Sequence, residues 1–106
     1  MIVKIKPLSV NKAWQGKRFK TPEYKQYERA VLLMLPKINI PDGELCIKII
    51  FGFSNKGSDI DNPAKLFIDI MQKKYKFNDS SIYELHLFKM VVEKGSEFID
   101  FEIKKL

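Results

Sequence analysis

The sequence predicts a small α+β domain: a mixed β-sheet with two helices packed on it, in the order βαβαββ. Three observations predict it. Apolar residues alternate at period two over 2–6, 45–53 and 97–104, the mark of half-buried strands. Two other segments, near 22–35 and 63–74, place apolar residues at helical spacing instead. The chain has 106 residues, the size of one domain over 1–106, without repeats, linkers or low-complexity stretches.

Ile2-Val3-Lys4-Ile5-Lys6 reads as a short strand ended by Pro7. Residues 8–21 read as a loop with four basic residues and two aromatics, Trp14 and Phe19. Thr21-Pro22-Glu23 is a helix start, with a capping Thr, Pro in the first turn and an acid at the positive end of the dipole. Tyr24, Tyr27, Val31 and Met34, flanked by Leu32 and Leu35, form its stripe, and Pro36 ends it. Pro41-Asp42-Gly43 is a turn. From Leu45 to Phe53, every second residue (Leu45, Ile47, Ile49, Phe51, Phe53) is apolar and shares one face. Residues 54–58 form a polar loop.

Asn62-Pro63 reads as the second helix start, with Asn62 as cap. Leu66, Phe67, Ile70 and Met71 are its buried stripe, and Lys73-Lys74 suit its C-terminal end. Residues 75–80 are a loop, and 82–92 a long strand with apolar residues on both faces. Glu93-Lys94-Gly95-Ser96 reads as a hairpin turn into the last strand, whose Ile99, Phe101 and Ile103 share a face.

Hydrophobic content of 45% and charged content of 30% are ordinary globular values. With Cys46 as the lone cysteine, an internal disulfide and any cysteine-based zinc site are excluded on sequence grounds, and Cys46 is expected to pack as a small apolar residue. No signal-peptide pattern and no apolar run near 18 residues occurs, so a cytoplasmic protein outside the membrane is expected. Net charge is +6, and residues 1–30 carry all the excess, with eight Lys/Arg against two Glu. That asymmetry suggests a polyanion partner.

The chemistry concentrates in Asp59-Ile60-Asp61-Asn62-Pro63-Ala64-Lys65, with Asn78-Asp79 eighteen residues beyond Asp61. In extended chain, side chains two apart point the same way, roughly 6–7 Å apart. Two carboxylates that close repel unless a cation lies between them. Mg²⁺ takes carboxylate oxygen and water, and commonly leaves much of its shell to phosphate. The helix N-terminus beside them favours phosphate too. Pro63 and the apolar residues after it exclude an EF-hand calcium loop. Asp79 is expected to return to Asp59 and Asp61 to complete a metal site, and Lys65 to neutralise charge on the phosphate. Lys65 also falls one helical turn before Asp69, so the two could simply be an exposed ion pair; Asp69 is the weakest candidate ligand. His86 reads as a partly buried strand histidine rather than a base. Asn11, Lys12, Trp14 and Lys17, with Arg18, Phe19 and Lys20, could bind DNA, the cations on phosphates and the aromatics on bases. Two plain aromatic anchors in a loop are the competing reading.

The motif Asp-x-Asp-Asn-x-x-Lys, followed by an acid before a strand, resembles the RusA-like crossover junction endodeoxyribonucleases common in prophages. Asp59, Asp61, Asn62 and Lys65 match it position for position. Where the family has a later acidic pair, this chain has Asn78-Asp79, so Asp79 stands for the second acid, and either the first acid is dispensable or Asn78 acts as a neutral ligand. Ser9-Val10-Asn11, the basic loop, a Tyr-bearing first helix and a final hairpin follow the family's order. Residues 54–58 lack the basic run of some members. The resemblance implies a homodimeric, Mg²⁺-dependent nuclease, with Mn²⁺ able to substitute, that resolves Holliday junctions by paired symmetric nicks in recombination and repair. It makes Asp59, Asp61 and Asp79 the metal ligands, with Asn78 and Asp69 as further candidates, and Lys65 a catalytic cation. The rival classes are a DNA-binding module without catalysis and a metal nuclease for other branched DNA.

Overall fold

In the computed structural model, which describes residues 1–16 and 19–106, the central strand is β4, Leu45–Phe53. It pairs in parallel with β5, Ile82–Val91, and antiparallel with β6, Phe98–Lys105. The short β1, Ile2–Val3, adds to the far side of β6, giving the order β1-β6-β4-β5. A two-stranded ribbon, β2 (Trp14–Gln15) and β3 (Phe19–Lys20), stands apart from this sheet. The α+β architecture is the one expected.

Alternation in β4 sorts its faces as the sequence implies. Leu45, Ile47, Ile49, Phe51 and Phe53 are all buried. Ile47, Ile49, Phe51 and Phe53 share one core with α2, Ala64–Tyr75, whose Leu66, Phe67, Ile70 and Met71 are fully buried. The Phe67 ring meets Phe51 at 6.5 Å and Phe101 at 5.5 Å, both edge-on, so one side chain ties the helix to β4 and β6. On the other face Gly52 lies under the Phe98 ring, and a Cβ there would run into it.

Helix α1, Pro22–Met34, begins as expected: the Thr21 Oγ1 accepts the Tyr24 N–H at 3.1 Å, and Pro22 needs no partner. Its stripe ends differently. Met34 faces outward, and Leu35, one residue past the helix, fills the core. Between the helices, Glu28 receives Lys20 and Lys73, each at 3.0 Å. The Tyr75 hydroxyl donates to the Pro36 carbonyl at 2.7 Å.

Three local expectations are corrected. Only Ile2 and Val3 of the first predicted strand pair with the sheet. Asn62 does not cap α2: the helix starts after Pro63, no side chain caps it, and the Ala64 N–H closes a turn on the Asp61 carbonyl at 3.1 Å. Glu93–Ser96 does turn, with Gly95 at φ +95°, but it makes no hairpin. Strand β4 lies between β5 and β6, because the apolar side chains of β6 pack beside those of β4 over α2. Among the described residues, no helix is long and apolar enough to cross a membrane.

Candidate functional site

The chain leaves β4 at Phe53 and reaches α2 at Ala64, and Asp59 and Asp61 lie on the exposed connection between them. Three contacts shape this connection. The Asn62 amide donates to Asp59 Oδ2 at 3.3 Å, which holds one carboxylate in place. Asn55 Oδ1 accepts the Gly57 N–H at 2.7 Å. Lys89, from β5, donates to the carbonyls of Lys56 at 2.8 Å and Ser58 at 2.5 Å, binding the loop just ahead of Asp59. No local pattern marks Lys89 for this role, since only the parallel pairing of β5 with β4 brings it there.

The N-terminal loop docks on the same connection. A single 3₁₀ turn over Val10–Lys12 is capped by Ser9, whose hydroxyl accepts the Asn11 N–H at 3.2 Å. Val10 donates its N–H to the Asn62 carbonyl at 3.1 Å. The Thr21 hydroxyl then donates to the Lys12 carbonyl at 2.6 Å, joining the loop to the start of α1. A cleft of about 740 Å³ results, with Asn11, Lys12, Tyr27, Asp59 and Asn62 in its wall. The Tyr27 hydroxyl is buried there without a hydrogen-bond partner among the described residues, and desolvation by that burial pushes its pKa well up. Basic and acidic candidates far apart in sequence thus share one cleft.

Other DNA candidates divide. Trp14 packs edge-on against Tyr24 at 5.5 Å, so it anchors the ribbon while staying 39% exposed. Phe19 is 73% exposed and free to stack on a base. Lys20 is held by Glu28 and lies 5.1 Å from the Tyr24 ring centre. Lys17 and Arg18 lie outside the described residues. Burial raises the Glu28 pKa, but hydrogen bonds from Lys73 and Lys20 outweigh it and hold the carboxyl below its usual range.

Lys65 pairs with Asp69 at 3.1 Å, one turn along α2, and is 65% exposed. Asp69 also accepts from Gln72 at 3.4 Å, which makes it a partner for neighbouring helix residues. Asn78 caps a 3₁₀ turn over Asp79–Ser81, its Oδ1 accepting the Ser80 N–H at 2.9 Å. The Asp79 N–H donates to Gln72 Oε1 at 3.0 Å, fixing the turn to the end of α2.

One expectation fails within a single chain: Asp79 does not return to Asp59 and Asp61. Helix α2 carries the chain back along the sheet, and β5 starts level with the beginning of β4, Ile82 opposite Leu45. Asp59 and Asp61 follow the other end of β4, a strand length away, roughly 26–30 Å for nine residues. Among the described residues, the one gathered trio of potential metal ligands is instead Cys46, Glu84 and His86, whose ligand atoms all lie within 4.8 Å of one another. Cys46 is half-buried and His86 exposed, where a packed cysteine and a partly buried histidine were expected.

The family model described as Endodeoxyribonuclease RusA matches residues 5–100. No curated protein matches the chain. The match covers nearly the whole domain, and the chain belongs to the RusA endodeoxyribonuclease family.

Proposed function

We propose that this member of the RusA endodeoxyribonuclease family is a homodimeric, Mg²⁺-dependent enzyme that resolves four-way DNA junctions by paired nicks, in cytoplasmic recombination and repair, as a prophage-encoded protein would. The observation that carries the reading is the shared cleft, where the docked N-terminal loop brings Asn11 and Lys12 beside Asp59 and Asn62. A cation-bearing wall next to exposed carboxylates suits a phosphodiester backbone with a metal at the scissile phosphate.

Asp59 and Asp61 are exposed oxygen donors of the type Mg²⁺ takes, and they would hold it together with Asp79. When bound there, Mg²⁺ supplies a lowered pKa for water and neutralises charge on the phosphate. Asn62 orients Asp59 through its amide. Lys65, at the first turn of α2 and largely exposed, exchanges Asp69 for the phosphate and offsets developing negative charge. Lys12 and the basic loop grip the flanking backbone.

A second copy would supply Asp79 as the third ligand. Strand β5 is a sheet edge of ten residues with none buried, and Tyr83, Leu85, Phe88 and Met90 are all exposed. Such an edge is an open template for another strand. Two β5 edges pairing antiparallel about a two-fold axis would set Asp79 of one copy at the end of the sheet where the other carries Asp59 and Asp61. That symmetry also matches a junction needing two opposed nicks.

The test is incubation with a synthetic four-way junction in Mg²⁺ or EDTA. Symmetric paired nicks in Mg²⁺ alone are expected. Binding without nicks would identify a non-catalytic DNA-binding module, and preferential cutting of flaps or forks a nuclease for other branched DNA.

A further inference from the structure

We propose that Cys46, Glu84 and His86 form a binding site for a borderline transition cation of the Zn²⁺ type, separate from the carboxylates that would hold Mg²⁺. The site follows from strand register. Cys46 stands opposite Glu84 across the parallel β4–β5 pair, and His86 is two residues further along β5. All three side chains therefore rise from one face, opposite the face that carries Ile47 and Ile49 onto α2. His86 Nε2 lies 3.0 Å from Glu84 Oε1, and the thiol, imidazole and carboxylate atoms are all within 4.8 Å of each other. Tetrahedral Zn²⁺, with bonds of about 2.0–2.3 Å, asks for ligand separations of roughly 3.3–3.8 Å. Small rotamer changes close that difference without moving the strands.

The donor set decides the cation. Thiolate sulfur and imidazole nitrogen beside one carboxylate favour Zn²⁺ and disfavour Mg²⁺, which takes oxygen. Three protein ligands leave the fourth position to water or an added ligand. The neighbouring cations have other partners: Lys48 lies 5.3 Å from the Phe88 ring centre and Lys104 pairs with Glu102 at 3.1 Å. The β4–β5 register shifts between Leu45 and Cys46 and then runs unbroken from Cys46–Glu84 to Phe53–Val91, and β6 pairs along the other side of β4, so the trio stands on paired strands before a metal arrives. Cys46 belongs to the start of β4, and Asp59 and Asp61 follow its other end.

The experiment titrates Co²⁺, as a spectroscopic stand-in for Zn²⁺, into metal-free full-length protein. Zn²⁺ affinity is then measured by competition with a chromophoric chelator in excess Mg²⁺. The expected result is thiolate-to-cobalt charge-transfer absorption that saturates at one metal per chain and is displaced by Zn²⁺. Cys46→Ser abolishes that absorption. Cys46→Ser and His86→Asn each weaken Zn²⁺ by at least the roughly 10–100-fold that loss of an outer-shell partner costs. Circular dichroism of both variants confirms their fold, and Asp61→Asn leaves absorption and affinity unchanged. Absence of the charge-transfer band, or wild-type Zn²⁺ affinity in both the Cys46 and His86 variants, would overturn the proposal. So would loss of binding in Asp61→Asn.

Discussion

Val10 donates its backbone N–H to the carbonyl of Asn62 at 3.1 Å, so the basic N-terminal loop and the acidic β4–α2 connection form one structural unit. Val10 and Asn62 are 52 residues apart in sequence, and both segments belong to the wall of one cleft.

Lys89 holds the same connection from beneath through the carbonyls of Lys56 and Ser58. Replacing it with Met removes a charged donor from two acceptors, an exposed one at Lys56 and a part-buried one at Ser58, a loss of about 1.5–3 kcal/mol in local order. Cleavage of a junction by Lys89→Met is expected to fall while junction binding stays near wild type. Equal losses in both, measured by single-turnover cleavage and gel shift, would mean that the loop serves binding instead.

Lys12 is exposed in the cleft wall beside Asp59. If it neutralises one phosphate, Lys12→Ala reduces the slope of log K against log salt by about one unit. Affinity measured across a salt series checks this, and an unchanged slope removes Lys12 from the DNA contact.

Glu28 joins α1 to α2 and to the ribbon through Lys73 and Lys20. Its folded pKa lies below the ordinary carboxylate value, so its contribution is complete above that value and lost as pH falls through the depressed one. Glu28→Gln is expected to cost about 1.5–3 kcal/mol at neutral pH. The difference from wild type should shrink on acidification. Denaturant unfolding at several pH values checks it, and a pH-independent difference would contradict the ion-pair account.

Phe67 is fully buried where α2 meets β4 and β6. Phe67→Ala should destabilise the fold by about 3–5 kcal/mol through lost transfer energy and the cavity left behind. A thermal melt near wild type would mean that the helix–sheet core collapses around the gap.

Much of this core was legible because period-two alternation in 45–53 and helical spacing in 64–75 are local properties. The Thr21 cap was legible for the same reason, being set by neighbours in sequence. What was not legible depends on strand order. A turn at Glu93–Ser96 looks the same whether its strands pair or, as here, flank β4. The return of Asp79 to Asp59 and Asp61 within one chain was misjudged because spacing alone does not say that α2 carries the chain back to the beginning of β4. The Cys46–Glu84–His86 trio was invisible because two of its members meet the third only through the β4–β5 register. The Asn62 cap was misread because a side-chain amide beside Asp59 can turn to that carboxylate instead of to α2, as it does here.

Mixing two inactive variants tests the dimeric nuclease site most directly. Asp61→Asn and Asp79→Asn should each bind a four-way junction without cutting it. If Asp59 and Asp61 of one copy work with Asp79 of the other, a mixed dimer gathers both lesions in one site and leaves its second site whole. Co-refolding the two variants should then restore Mg²⁺-dependent nicking. A mixture that exchanges subunits yet stays inactive would contradict a site shared between copies.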